Sequence, residues 1–341
     1  MHLFDYSDIT VSIPSDIVDD MTAIERIRSF DGIRIGRYAK ELAKATDTLI
    51  LADTLANCSA EGTSVEEDRL AALMSGIDPA DADESVAKGF ADALGEVLGN
   101  PASLDVDGKS LLHLHRLVTN GTTRRESRFR FRYTQDLDSA EHCRAVRTVP
   151  SEDVPAAVDQ MTQSFAMARN VDVQALLLVP NMILDLVNIH PFPEMNWRIT
   201  RLLCRSLLIS GGFEALRYVP VDSMLLGDSE DYYESVAESS EGWRNNSNDP
   251  YPFVRFMVGK VLECYREFER RYPLADGRKL PKSKRIESYI LSGRDPISKS
   301  ELCSKLPDIS RRTADKVIGD LVSDGTVAKT GTFKDARYTR P

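Results

Sequence analysis

The stretch HPFPEMNWRITR, His190–Arg201 of this 341-residue chain, brings a histidine, a carboxylate, an asparagine and two arginines close together. It follows directly on the apolar run LLLVPNMILDLVNI. An imidazole titrates near neutral pH, so His190 is suited to take a proton from an attacking hydroxyl. Glu194 offers the hard carboxylate oxygen that Mg2+ prefers when it bridges phosphates. Arg198 and Arg201 lie three apart, on one face if this segment is helical, and each guanidinium can grip phosphate oxygens through paired hydrogen bonds. Each residue taken singly also has a structural reading. His190 could simply end a core helix, and the arginines could form a solvated or salt-bridged face.

Side chains of this kind need elements to hold them. Apolar spacing of three and four residues predicts helices over 172–189 and 196–210. A helix that opens at Asn196 would turn its unpaired backbone N–H groups toward an anion held in the loop. Similar spacing predicts a long helix through IGRYAKELAKATDTLILADTLANC, and others at 65–76, 84–98, 108–119, 151–168, 229–240 and 251–271. Gly62 is suited to end the long helix, and Ser64 with Glu67 fits a capping box opening the next. The segment SRFRFRYTQDLDSAEHCRAVRTV alternates arginine with aromatic residues, which predicts a short β-hairpin. The expected fold is therefore all-α with a hairpin flap.

Composition limits the rest. Apolar residues are 42% and charged residues 28% of the chain, ordinary for a soluble globular protein. Pro180, Asn181 and Asp185 break the longest apolar stretches, so no membrane span is expected. The first residues lack the basic and apolar segments of a secretory signal. The cysteines at 58, 143, 204, 264 and 303 have no paired spacing. They read as reduced thiols of a cytoplasmic protein, not as a disulfide frame or zinc site. Charge is uneven: from Lys279 onward 14 Lys and Arg stand against 8 Asp and Glu, a net of +6, whereas the whole chain is −10. An acidic body with a basic tail suggests different partners for each.

The twelve residues from His190 resemble the signature of the Fic family (filamentation induced by cyclic AMP), H-P-F-x-[DE]-G-N-G-R-x-x-R. His190, Pro191, Phe192, Glu194, Asn196, Arg198 and Arg201 match, and Met195 and Trp197 stand where the family has glycine. LLHLHRLVTNG, RTVPSEDVPAAVDQM, DYYESVAESS and DPYPFVRFMVGKVLECY resemble further helices of the family core, so the likeness covers roughly residues 45–270. The resemblance implies an adenylyltransferase that moves AMP from ATP, or another nucleotide from its triphosphate, to a protein hydroxyl of a target or of the chain itself. His190 would be catalytic, Glu194 would hold Mg2+, and Asn196, Arg198 and Arg201 would line the phosphates beside Met195 and Trp197. Glycine permits backbone angles and close approaches that Met and Trp resist. Three outcomes are open: weaker ATP transfer, a different phosphate donor, or a dead pocket kept for another role.

NCSAEG, Asn57–Gly62, resembles the inhibitory helix [ST]-x-x-x-E-[GN] of autoinhibited Fic proteins, with Asn57 in the Ser/Thr place. The resemblance pairs Glu61 with Arg201. Independently, a carboxylate at a helix C-terminus faces the negative end of the dipole and benefits from a cationic partner. The tail reads as three short helices and a Gly-containing hairpin, similar to a winged helix-turn-helix. Its candidate DNA contacts are Arg311, Arg312, Thr313, Lys316, Lys334 and Arg337; winged helices also dock proteins. The expected layout is an N-terminal helical region over 1–100, a Fic core over 101–272, a linker over 273–284 and the winged helix over 285–341. Partners would be a nucleoside triphosphate, a target protein, duplex DNA and a second copy in a homodimer, with no membrane. The competing reading is a catalytically inactive, DNA-binding regulator whose pocket senses a ligand.

Overall fold

The structure, a computed structural model, describes residues 2–6, 9, 12–119, 128–130, 148–332 and 335–341. Helices dominate it. In chain order they are α1 Ser15–Arg28, α2 Asp31–Ala60, α3 Glu67–Met74, α4 Ala82–Gly99, α5 Gly108–Thr119, α6 Val154–Asn170, α7 Ala175–Ile189, α8 Asn196–Ser210, α9 Val221–Leu226, α10 Ser229–Ser240 and α11 Tyr251–Arg271. The tail adds β1 Leu274–Ala275, β2 Arg278–Lys279, α12 Lys282–Ser292, α13 Lys299–Lys305, α14 Arg311–Ser323, β3 Ala328–Thr330 and β4 Arg337–Thr339. The hairpin expected over 127–149 lies almost wholly outside the described residues. No described helix is long and apolar enough to cross a membrane.

Chain contacts divide the protein into two compact units, residues 1–23 with 50–262, and residues 24–49 with 263–341. The first is organised on α7 and α8. Every α7 residue from Leu176 to Ile189 is buried, as is every α8 residue from Asn196 to Ile209. A helix apolar on all sides can be satisfied only in a core, which explains α7. Each buried Leu, Ile or Val contributes about 1.5–3 kcal/mol relative to exposure. Gly211, just past α8, comes close to α7: a Cβ there would lie 2.9 Å from that of Ala175. The helix α8 is different in kind, because it also buries Arg198, Arg201 and Arg205. Buried guanidinium groups require partners, and the last turns of α2 supply them.

The second unit has its own core, built from Ile286, Tyr289, Ile290, Leu302, Leu306, Ile318 and Tyr338. Arg285 is buried there, donating to Asp308 at 2.8 and 3.1 Å and lying over the rings of Tyr38 and Tyr272. The helix α13 opens with a complete capping box between Ser298 and Glu301. β3 and β4 pair antiparallel, Lys329 opposite Tyr338. Residues 273–284 contain the short β1–β2 pair, Leu274 opposite Lys279.

Two local expectations are corrected. Ser64 does not cap α3: the N-cap is Glu66, without a side-chain hydrogen bond, and the Ser64 N–H instead donates to Asp83 Oδ2 at 3.0 Å. Helices α1 and α9 were not foreseen. The helix α9 has only six residues, too few to show a period, whereas α1 carries Ile17, Met21, Ile24 and Ile27 at three- and four-residue spacing, a signal present in the sequence and not read. Gly62 does end α2, with φ of +69°, a conformation that costs a side-chain-bearing residue strain.

Candidate active site

The helix α7 closes at His190, whose backbone is left-handed (φ 52°, ψ 63°) and whose N–H donates to Leu186 O at 2.9 Å. The loop then runs to Met195, also left-handed (φ 67°, ψ 11°), the N-cap of α8. Asn196 staples this loop. Its Oδ1 accepts from the Phe192 N–H and its Nδ2 donates to Phe192 O, both at 2.9 Å. The loop thus keeps at Met195 a backbone conformation that glycine adopts freely and that costs methionine about 1–3 kcal/mol.

Arg130 holds the other side of the loop. It is buried, donates from Nε to His190 O at 2.6 Å and from Nη2 to Ile189 O at 3.0 Å and to Val149 O, and reaches Ser151 Oγ from Nη1 at 3.0 Å. Its own N–H donates to Pro191 O at 2.8 Å. Carbonyls at the end of α7, otherwise orphaned, are therefore satisfied by a cation, which the helix dipole also favours. The sequence pointed to no role for Arg130, because its partners are set by tertiary folding.

His190 is buried, and burial together with the nearby Arg130 charge pushes its imidazole down to about 3. The ring is neutral at physiological pH, the form that accepts a proton. Beside it Phe192 stacks on His115, ring centroids 4.4 Å apart, and packs on Phe129 at 5.5 Å. His115 is itself pushed down to about 4 by burial.

The two departures from the glycine pattern behave differently. Trp197 was expected beside the phosphates, and its indole is instead buried against α10, edge-on to Tyr233 at 5.1 Å and to Tyr232 at 5.9 Å. Its apolar area is matched there by an aromatic surface, which explains why Trp is tolerated. Met195 stays at the loop: its Sδ lies 2.9 Å from Arg198 Nη1.

Both arginines of the motif are gripped from the end of α2 and the turn that follows it. Arg201 donates to Asn57 Oδ1 from Nε at 3.0 Å and from Nη2 at 2.6 Å, and Nη2 also meets Glu61 Oε1 at 2.6 Å. The side chains of Arg201 and Glu61 are only 2% and 6% exposed, so the pair is shielded from solvent and salt. Burial opposes the charge on Arg201, and Glu61 more than offsets it, so the guanidinium stays protonated. Arg198 donates from Nη2 to Thr63 Oγ1 at 2.7 Å. Among the described residues, Arg201 Nη1 and Arg198 Nε are buried with no hydrogen-bond partner. Orphaned cationic donors at a helix start suit an anion.

The network continues inward along α2. Asn57 Nδ2 donates to Asp222 Oδ2 at 2.7 Å, and Asp53 accepts from Arg205 Nη1 at 2.5 Å and from the Ser223 N–H at 2.8 Å. Asp53, Asn57 and Glu61 recur every four residues, one helical face, opposite Arg201 and Arg205 with the same spacing. That matched period was present in the sequence and was read only at Glu61 and Arg201.

Glu194 is half-buried in the loop, with no ion pair to a described residue. Among the described residues, no group of three or more acidic, His or Cys side chains is placed to hold a metal ion. A single carboxylate in a phosphate loop still fits Mg2+, which commonly takes one or two protein carboxylates and completes its shell from phosphate and water. In the tail, Arg311, Arg312 and Lys316 are exposed on α14, and the Thr313 N–H donates to the N-cap Ser310 Oγ at 3.2 Å. Arg337 is tied to Glu301 at 3.1 Å, and Lys334 lies outside the described residues.

The fold as a whole is shared with solved structures. The structure of a Fic family protein from Desulfovibrio desulfuricans superposes with a TM-score of 0.57 over 97% of each chain, at 19% identity. A Fic domain containing signaling protein from Bacteroides thetaiotaomicron matches with a TM-score of 0.55 over 74% of this chain and 96% of its own, at 14% identity. The chain has the fold of these Fic proteins. Fic-1 from C. elegans gives a TM-score of 0.54 over 74% of this chain and 72% of its own, at 18% identity. By sequence, the protein adenylyltransferase Fic of Nematostella vectensis is 32% identical over 96 residues. That match spans 27% of this chain and only a fifth of the length of the relative. No family model matches the chain.

Proposed function

We propose that this Fic-fold chain is an autoinhibited nucleotidyltransferase that moves AMP from ATP to a protein hydroxyl. The observation that carries the reading is the hold of Asn57 and Glu61 on Arg201, in a loop where His190, Glu194, Asn196 and Arg198 keep their register. The Nematostella relative, named an adenylyltransferase, supports ATP as the donor.

In this reading the acceptor oxygen attacks the α-phosphorus, the bond to the β-phosphate oxygen breaks, and pyrophosphate leaves. His190 Nε2 or Nδ1 takes the hydroxyl proton. The neutral ring that burial and Arg130 maintain is ready for that transfer, and neighbouring phosphates would strengthen it as a base by stabilising the imidazolium. Arg130 keeps the imidazole at the loop by holding three carbonyls around it. The start of α8 and Arg198 bind the outgoing phosphates, with Arg201 joining once released from α2. Glu194 would hold Mg2+, which when bound neutralises phosphate charge. While Arg201 is paired with Glu61 it is withheld from the phosphates, and Thr63 and Met195 occupy two faces of Arg198. The chain at rest is thus a weak binder. Isothermal titration of Mg·ATP into the parent and Glu61→Gly chains tests this: tighter binding by the variant supports it, and equal affinity overturns it.

For the tail, the exposed Arg311, Arg312 and Lys316 on α14 support contact with duplex DNA phosphates. Binding that weakens steeply with salt is expected, because phosphate contacts release counterions. No mobility shift at low salt across a random duplex pool would favour protein docking instead.

A further inference from the structure

The hold on Arg201 is one end of a longer buried ladder whose charges do not balance. Asp53, Asp222 and Glu61 supply three carboxylates, and Arg201 and Arg205 supply two guanidinium groups; Arg198, also buried, donates outside this ladder to Thr63. Asp53 is 0% and Asp222 2% exposed, so water cannot neutralise the excess. A surplus charge in such a place is disfavoured unless a proton is taken up.

We propose that the Asp53–Asp222 pair carries one proton while α2 is closed on α8, so that closure of the latch is linked to pH and rising pH loosens the grip on Arg201.

The groups facing this pair favour that assignment. Asp53 faces Arg205 from α8 and the Ser223 N–H from α9, and its Asp222 neighbour precedes that residue in sequence. Asp222 accepts from Asn57 of α2, lies 4.0 Å from Arg201 Nε, and raises the Cys204 thiol of α8, already pushed up by burial, to about 12. Tyr232 and Tyr233 of α10 place their phenols next to Arg201. Toward the solvent end, Glu61 answers Arg201, while Arg198 and Asp83 face the Cys58 thiol. Arg205 is the cation that meets Asp53 directly. Burial first, and then Asp222 against the opposing pull of Arg205, holds the Asp53 carboxyl up at about 7. Lifting the end of α2 would rehydrate these carboxylates and return Asp53 toward its ordinary value of 3.8. The lifted form therefore binds fewer protons than the closed one, and it gains population as pH rises between those values.

The proposal rests on the reading of α2 as a latch, yet its test needs no nucleotide. Hydrogen exchange of the amides from Asp53 to Ala60 would be followed in the full chain between pH 5.5 and 8, corrected for intrinsic exchange. Protection should fall on the order of tenfold as the proton is released. Asp53→Asn and Asp222→Asn, which each mimic a protonated carboxyl, should hold high, pH-independent protection. Protection in the parent chain that does not change with pH, or pH dependence that survives in either folded variant, overturns the proposal; two variants guard against one failing to fold. If instead the pH dependence holds but Glu61→Gly leaves ATP affinity unchanged, the latch is real and the nucleotide reading fails.

Discussion

Replacing Glu61 by glycine removes one of three short hydrogen bonds that hold Arg201 to α2 and leaves the two from Asn57 Oδ1 in place. A charge-assisted bond contributes about 1.5–3 kcal/mol. At about 1.36 kcal/mol per factor of ten, full release of Arg201 would be worth roughly 10- to 150-fold in nucleotide affinity or rate. Because Asn57 still tethers the guanidinium, Glu61→Gly alone should give about tenfold, and the double variant with Asn57→Ala should approach the upper end. Stability should fall as well. Breaking a buried pair costs about 3–5 kcal/mol when the remaining charge is stranded. Here Asn57 and Asp222 remain beside Arg201, so a loss of about 1.5–3 kcal/mol is expected. At about 2–4 °C per kcal/mol, the Tm of the empty chain should drop by roughly 3–12 °C. Differential scanning fluorimetry and calorimetric titration of Mg·ATP read the two effects on the same samples. A Glu61→Gly chain that is neither less stable nor tighter-binding would refute the assignment of Glu61 as a latch.

His190→Ala should lower transfer by about 10²–10⁴-fold with ATP affinity nearly unchanged, measured by single-turnover transfer and titration. Met195→Gly should raise the Tm by relieving the left-handed strain, about 1 kcal/mol, and tighten ATP by freeing Arg198. Trp197→Gly should instead cost about 3–5 kcal/mol by emptying its place against Tyr232 and Tyr233, and the double variant should lose stability on thermal melts. His190 has its folded value pushed down to about 3 from 6.5, so the stability it preserves is complete above 6.5 and is lost as pH falls below it. His190→Asn should therefore flatten the acid side of a Tm-versus-pH curve between about pH 6 and 4.

The helical framework was legible because apolar period and length coincide in the long elements: α5, α8, α10 and α11 begin and end where the spacing predicts. A helix as short as α9 lacks that signal, since tertiary burial and not pattern sustains it, whereas α1 carries the period at Ile17, Met21, Ile24 and Ile27 among its many charges. At the site, His190 and the arginines were singled out because they match the Fic signature in register, where each type alone would also fit a core or salt-bridged position. Arg130 was not, because a cation that caps the carbonyls of another helix has no local spacing to betray it. The glycine departures could not be resolved from sequence, since whether a side chain obstructs a loop depends on which way it turns. Trp197 points to α10 and Met195 stays at the loop.

The most direct test of the central claim is intact-mass spectrometry of the chain incubated with Mg·ATP, alone and with a mixture of candidate acceptor proteins. The parent chain should show little change, Glu61→Gly should deposit a mass equal to one AMP on itself or an acceptor, and Glu61→Gly combined with His190→Ala should not. A Glu61→Gly chain that binds ATP and yet transfers nothing, from ATP or from any other nucleoside triphosphate, would contradict the account.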